Sequence, residues 1–171
     1  MVITKDNINE FIDGSIMDCS NKRITHIEYI PDGITRLFCS NNKLTELPKL
    51  PESLISLYCR NNQLTELPKL PNSLTRLYYY SNKLTELPKL PDGLIELYCH
   101  YNKLTELPKL PEGIIHLSCV NNKLTELPIL PESLDYLSCE HNNLPYEVTI
   151  ENLKEHNKLI KRKQILKRIC T

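Results

Sequence analysis

The sequence predicts an α/β repeat solenoid, a right-handed superhelix with parallel concave strands, a polyproline-II-like convex side and short helical caps. Three observations predict it. The chain repeats itself every 20 residues, each unit carries one short strand pattern, and two prolines stand where a crossover helix would otherwise form. With 171 residues, 40% hydrophobic and 25% charged, the chain can bury a core without staples, and no apolar run is long enough to span a bilayer.

Residues 1–15 are expected to form an N-terminal helical cap. Thr4 to Gly14 reads as one short helix, with Thr4 as N-cap, Ile8, Phe11 and Ile12 on one side, and Gly14 as the stop. A solenoid exposes core and strand edge at both ends, so a cover is needed there.

Residues 16–144 are the solenoid. Leu44-Thr45-Glu46-Leu47-Pro48-Lys49-Leu50-Pro51 recurs unchanged at Leu64–Pro71, Leu84–Pro91 and Leu104–Pro111, and with Ile129 for lysine at Leu124–Pro131. A diverged copy, Ile24–Pro31, opens six units of 20, and Gly14–Arg23 is half a unit more. In the other half of each unit, as in Ser56-Leu57-Tyr58-Cys59-Arg60, Leu57 and Cys59 point inward while their neighbours face out. Units of equal length return each strand beside its predecessor, which makes the strands parallel. Pro48 and Pro51 exclude a helical crossover, and their three-residue spacing matches polyproline II. Asn42, Asn62, Asn82, Asn102, Asn122 and Asn142 stand where the chain leaves each strand, where an amide can satisfy backbone groups that no ladder reaches, and are therefore read as a structural asparagine ladder.

Leu-Pro-x-Leu-Pro-x-x-Leu-x-x-Leu-x-(Val/Cys)-x-x-Asn-x-Leu resembles the short bacterial subclass of leucine-rich repeats found in effectors injected by enteric pathogens, over about Gly14 to Leu144. Some of those effectors carry a ubiquitin-ligase domain after the repeats; 27 residues follow Leu144, so that domain is expected to be absent. Cysteine in place of valine in the second core column departs from the pattern. The chain contains no alanine and abundant Asn, Lys and Ile, and it also resembles leucine-rich-repeat proteins of amoeba-infecting giant DNA viruses.

Cys19, Cys39, Cys59, Cys99, Cys119 and Cys139 share one column and Cys170 lies in the tail. No two are closer than 20 residues, against the tight spacing of zinc sites, so they are read as buried, reduced, small hydrophobes. Tyr79 replaces cysteine in this column; it either overpacks the core, with local distortion, or turns outward. The histidines form no metal or nucleophile motif, and four glycines leave no phosphate-cradling loop. The sequence thus predicts no catalytic residue, metal or cofactor.

Residues 145–171 are expected to form a C-terminal basic capping helix from about Ile150 to Ile169, with Thr149 as cap and Leu153, Leu159, Ile160, Leu166 and Ile169 as its apolar stripe. Seven Lys or Arg against three Glu make this segment +4 and the remainder −4, for the total of +0.

The convex octapeptide hardly changes between units, whereas the outward strand positions do. One column reads Arg36, Ser56, Arg76, Glu96, His116, Tyr136; the next Phe38, Tyr58, Tyr78, Tyr98, Ser118, Ser138; the third Ser40, Arg60, Tyr80, His100, Val120, Glu140. Tyr and Arg dominate protein-binding hot spots. The predicted partner-binding residues are therefore Arg36, Phe38, Tyr58, Arg60, Arg76, Tyr78, Tyr80, Glu96, Tyr98, His100, Tyr101 and His116.

The expected function is a non-catalytic protein-protein interaction module that binds a protein partner on its concave face. Two alternatives stand beside it: the substrate-recruiting repeat part of a ubiquitin-ligase-type effector system with a separate catalytic partner, and nucleic-acid or anionic-surface binding through the basic C-terminal helix. The even charge balance disfavours nucleic acid. No small-molecule substrate and no membrane span are expected, and a monomer rather than an oligomer. Without a basic-then-apolar start, the chain is expected in the cytoplasm, the host cell's if it is viral.

Overall fold

The structure is a computed structural model and describes residues 1–169. Its strands are β1 (Val2–Ile3), β2 (Ile12–Asp13), β3 (Ile16–Asp18), β4 (His26–Ile27), β5 (Arg36–Phe38), β6 (Ser56–Tyr58), β7 (Arg76–Tyr78), β8 (Glu96–Tyr98), β9 (His116–Ser118) and β10 (Tyr136–Ser138). From β3 to β10, leaving out β4, seven strands pair in parallel with each residue opposite the one 20 positions on, as in Leu57 beside Leu77. The chain is thus a β-solenoid of about seven stacked coils, and α1 (Leu153–Ile169) is the single α-helix among the described residues.

The short strand follows from the short unit. Each of the fully repeated coils buries its octapeptide's first leucine, the next coil's inward leucines and a column residue, and these line one continuous core from Ile3 to Leu153. The turn before each strand is closed by backbone bonds such as Leu54 N–H to the Pro51 carbonyl at 3.1 Å.

The asparagines bind the coils together where the strand ladder stops. Asn62 is almost fully buried, and its Nδ2 donates to the carbonyls of Cys39 (3.0 Å), Cys59 (3.1 Å) and Arg60 (3.3 Å). Its Oδ1 accepts from Leu44 N–H at 3.0 Å, so one amide serves two coils. Asn42, Asn82, Asn102, Asn122 and Asn142 repeat the arrangement. The residue just before each of them is left-handed: Asn41, Asn61, Ser81, Tyr101, Asn121 and His141 have φ between 52° and 57°. Asparagine tolerates that region and fills three of the six positions, whereas Tyr101 and His141 carry the strain of a bulkier side chain.

Two expectations about the ends are corrected. Thr4 to Gly14 is not one helix. It holds only a 3₁₀ turn at Ile8–Phe11, preceded by Asn7 rather than capped by Thr4. β1 pairs with β4, and β2 turns back at Gly14, φ +57°, to pair antiparallel with β3. The first coil offers two unpaired edges, and pairing them outweighs the helical spacing of Ile8, Phe11 and Ile12. Gly14 is therefore a hairpin residue, and Ile8 alone is driven into the core.

At the other end α1 starts three residues later than expected. Thr149 and Asn152 bond reciprocally, Thr149 N–H to Asn152 Oδ1 at 3.0 Å and Asn152 N–H to Thr149 Oγ1 at 3.4 Å. Only Leu153, His156 and Ile160 of the helix are buried, whereas Leu159, Leu166 and Ile169 of the expected stripe are exposed. Polar side chains hold the helix instead. Asn157 mimics a strand rung on the last coil, accepting from Leu130 N–H at 2.7 Å and donating to the Leu130 carbonyl at 2.6 Å. His156 Nε2 lies 2.9 Å from the Pro128 carbonyl, which can only accept, so this nitrogen donates, and Nδ1 shares a hydrogen bond with the Tyr146 hydroxyl at 2.9 Å.

Tyr79 points inward and is fully buried. Its hydroxyl finds no oxygen or nitrogen partner among the described residues and lies among the Cys59, Cys99 and Cys119 thiols, with Cys99, a weak acceptor, the one it interacts with. The ring's volume is felt locally: Leu87 is partly exposed although its equivalents Leu47, Leu67, Leu107 and Leu127 are buried, and Tyr79 N–H reaches the Tyr98 carbonyl at 3.1 Å against 2.8 Å for Cys99 to Ser118. The six described column cysteines are buried and free, and Cys170 lies outside the described residues.

Candidate functional site

The sheet's solvent face carries the changing residues, and their order follows from the register. Because each strand residue stands beside its equivalent 20 positions on, side chains of one column stack face to face. Phe38, Tyr58, Tyr78 and Tyr98 form a continuous aromatic stack, with ring centroids 4.7, 4.6 and 4.8 Å apart and planes inclined by 14°, 13° and 7°. All four are half-buried. The stack ends at Tyr98, where Ser118 takes the next place.

The flanking columns are tied to it. Glu96 accepts from Arg76 Nε at 3.1 Å and from the Tyr78 hydroxyl across neighbouring strands. Burial, then the bond to Glu96, holds the Tyr78 phenol well above its ordinary pKa, so it stays a donor at neutral pH. Tyr98 is shifted in the same direction, chiefly by burial and then by the Glu96 charge. On the other side Arg60 bonds the Tyr80 hydroxyl and lies 5.4 Å from that ring's centroid, and Tyr80 stacks on His100 at 4.1 Å. His100 meets Tyr98 and Tyr101 edge-on, accepts or donates at Ser118 Oγ (3.2 Å), and burial lowers its pKa. The result is a rigid surface whose long side chains are already ordered.

Of the predicted residues, Tyr58, Phe38, Tyr78, Tyr98, Glu96 and Arg76 are joined in one network, and Arg60, Tyr80, His100 and Tyr101 in a second that touches it through Tyr98. His116 belongs at the margin, edge-on to Tyr136 at 6.1 Å. Arg36 is exposed on the first full strand. Tyr136, 47% exposed, was not among the predicted residues although it completes the column of His116. Its place on an outward strand position was the available signal. Among the described residues no group of three His, Cys, Asp or Glu side chains could hold a metal ion.

No family model matches the chain, and no curated protein sequence matches it. Among solved structures it is similar to a Shigella effector leucine-rich-repeat domain, at 34% identity over 84% of this chain and 65% of that one, with a TM-score of 0.74. It is similar also to YopM, a leucine-rich effector protein from Yersinia pestis, at 26% identity over 81% and 52% of the two chains, TM-score 0.52. A leucine-rich-repeat protein of Leptospira interrogans shares the fold at 22% identity over 79% and 47%, TM-score 0.55. The structural neighbours are leucine-rich-repeat proteins, bacterial effectors among them, and the chain spans less than two thirds of each of these three.

Proposed function

We propose that the chain is a non-catalytic protein-interaction module that docks a protein partner on the concave, strand-bearing face. The observation that carries this reading is the aromatic stack from Phe38 to Tyr98, with Arg76 and Glu96 on one flank and Arg60, Tyr80 and His100 on the other. A half-buried run of aromatic rings of this length, edged by the exposed Arg60 and Arg76, is a liability in solution unless a partner covers it. Because stacking and cross-strand bonds already hold these side chains, little rotamer freedom remains to be lost on docking, which favours affinity. The effector neighbours support an interaction role for the repeats. The column of reduced thiols suits the cytoplasm, where cysteines stay unpaired.

The test is affinity capture from host-cell cytosol followed by titration of the purified partner. Tyr98→Ala removes the last ring of the stack and should weaken binding by about 2 kcal/mol or more. Lys89→Glu, on the opposite side of the solenoid, should leave binding nearly intact. Loss of binding in Lys89→Glu with normal binding in Tyr98→Ala would place the partner elsewhere.

A further inference from the structure

We propose that the distal half of α1 binds the surface of an anionic lipid bilayer while its proximal half remains docked on the last coil. This is independent of the concave-face reading. The helix divides in two. Up to Ile160 it is anchored by Leu153, His156, Asn157 and Ile160, and from Lys161 to Ile169 every residue is exposed, with Lys163 reaching back to Glu126 through a solvent-exposed ion pair.

The exposed half has a composition of its own. It holds Lys161, Arg162, Lys163, Lys167 and Arg168 and no acidic residue, since the segment's three glutamates, Glu147, Glu151 and Glu155, all precede it. Among these cations Ile165, Leu166 and Ile169 are 56%, 61% and 74% exposed, the most exposed aliphatics of the described chain. At about 3.6 residues per turn, Ile165, Leu166 and Ile169 fall together on the side of the helix away from Leu153, His156 and Ile160. The helix therefore has two apolar faces, one covered by the solenoid and one turned from it. A planar surface can take the second without displacing the first.

Charge decides what covers that second face. A second copy of the helix would bring basic side chains against basic side chains, which repel. Single-stranded nucleic acid calls for aromatic stacking platforms, and residues 157–169 contain no aromatic. Anionic lipid supplies diffuse negative charge to the cations on both flanks of the stripe and an apolar layer for the three aliphatics. No described helix is long and apolar enough to cross a membrane, so the contact is peripheral.

The experiment is co-sedimentation of the whole chain with vesicles of pure phosphatidylcholine and of phosphatidylcholine with about 30% phosphatidylserine. Binding is expected to the anionic vesicles alone, and to weaken as salt rises from about 0.05 to 0.2 M. The double variant Leu166→Ser, Ile169→Ser, on exposed sites that leave the anchor untouched, should lose about tenfold in affinity or more. Arg162→Glu should lose about as much. Tyr98→Ala should bind vesicles normally even if it has lost its protein partner, so the two readings fail separately. Circular dichroism of the serine variant should match the parent. No binding to anionic vesicles, equal binding to neutral ones, or binding that the two serines leave unchanged overturns the proposal. So does tighter binding to polyuridylate or polyglutamate than to vesicles.

Discussion

Replacing Asn62 by alanine should cost far more than the removal of one small side chain suggests. The amide makes four bonds: Nδ2 to the carbonyls of Cys39, Cys59 and Arg60, and Oδ1 from Leu44 N–H. The Arg60 contact, at 3.3 Å, is the longest, and Arg60 is exposed, so water can replace it. The other three groups belong to backbone beside fully buried side chains, Cys39, Cys59 and Leu44. Each buried backbone group left without a partner costs about 1–3 kcal/mol. Partial relaxation shares that cost, so the net loss should be about 3–5 kcal/mol, within the range for a broken buried network. Asn62→Asp should fare no better, because it keeps the acceptor for Leu44 N–H but turns a carboxylate oxygen on three carbonyls. Asn142→Ala, at the last coil where the amide is only half-buried, should lose about 1–2 kcal/mol. Urea unfolding followed by far-ultraviolet dichroism measures all three. A loss under about 1 kcal/mol for Asn62→Ala, or a larger loss at Asn142 than at Asn62, would refute the argument.

Two further outcomes follow from the core column. Tyr79→Phe removes a buried hydroxyl with nothing better to bond than the Cys99 thiol, a weak acceptor, so thermal unfolding should show no loss of stability and a gain of up to about 1 kcal/mol; destabilisation would mean that the hydroxyl is well bonded. The column thiols make the fold sensitive to alkali: burial raises Cys19 and Cys99 from 9.0 to about 12 and Cys139 to about 11. The folded state then holds protons that the unfolded chain releases, so this stabilisation is complete below pH 9.0 and is lost as pH climbs toward 11–12. Each such thiol removes up to about 1.4 kcal/mol per pH unit in that window. Urea midpoints should fall from about pH 9 upward, and replacing Cys99 with Val should flatten the fall; a pH-independent midpoint contradicts it.

The coils were legible because repetition states the same rule many times. Leu57 and Cys59 inward and Pro48 and Pro51 against a helix were each read five times over, and Asn62 at the strand exit six. The ends carry no such redundancy. At Ile8, Phe11 and Ile12 the spacing fits a helix, yet the unpaired edges of the first coil, visible only once that coil exists, draw the flanking residues into β1 and β2 and leave only a 3₁₀ turn at Ile8–Phe11 between them. At α1 the apolar stripe misled because His156 and Asn157, polar residues that read as solvent-facing, reach the Pro128 and Leu130 backbone. The aromatic columns were legible as columns. Their internal wiring was not, since Glu96 on Arg76 and Tyr78 depends on side-chain reach rather than on spacing. The left-handed residue of each coil is written as Asn41, Asn61 and Asn121, but Tyr101 and His141 hide it.

The shared amides bear on how the molecule responds to force. Asn62 closes its own coil and the one before it, and in stacked repeats each coil contacts its neighbours alone. Held at its two ends and stretched, such an array resists as clamps in series, so the weakest coil lets go while the rest hold. Twenty residues released at once extend by about 70 Å where a stacking step had occupied about 4.8 Å. The near-identical octapeptides make these steps equal in length, and the coil around Tyr79, with its lengthened ladder bond and partly exposed Leu87, is where the interior of the array should yield first.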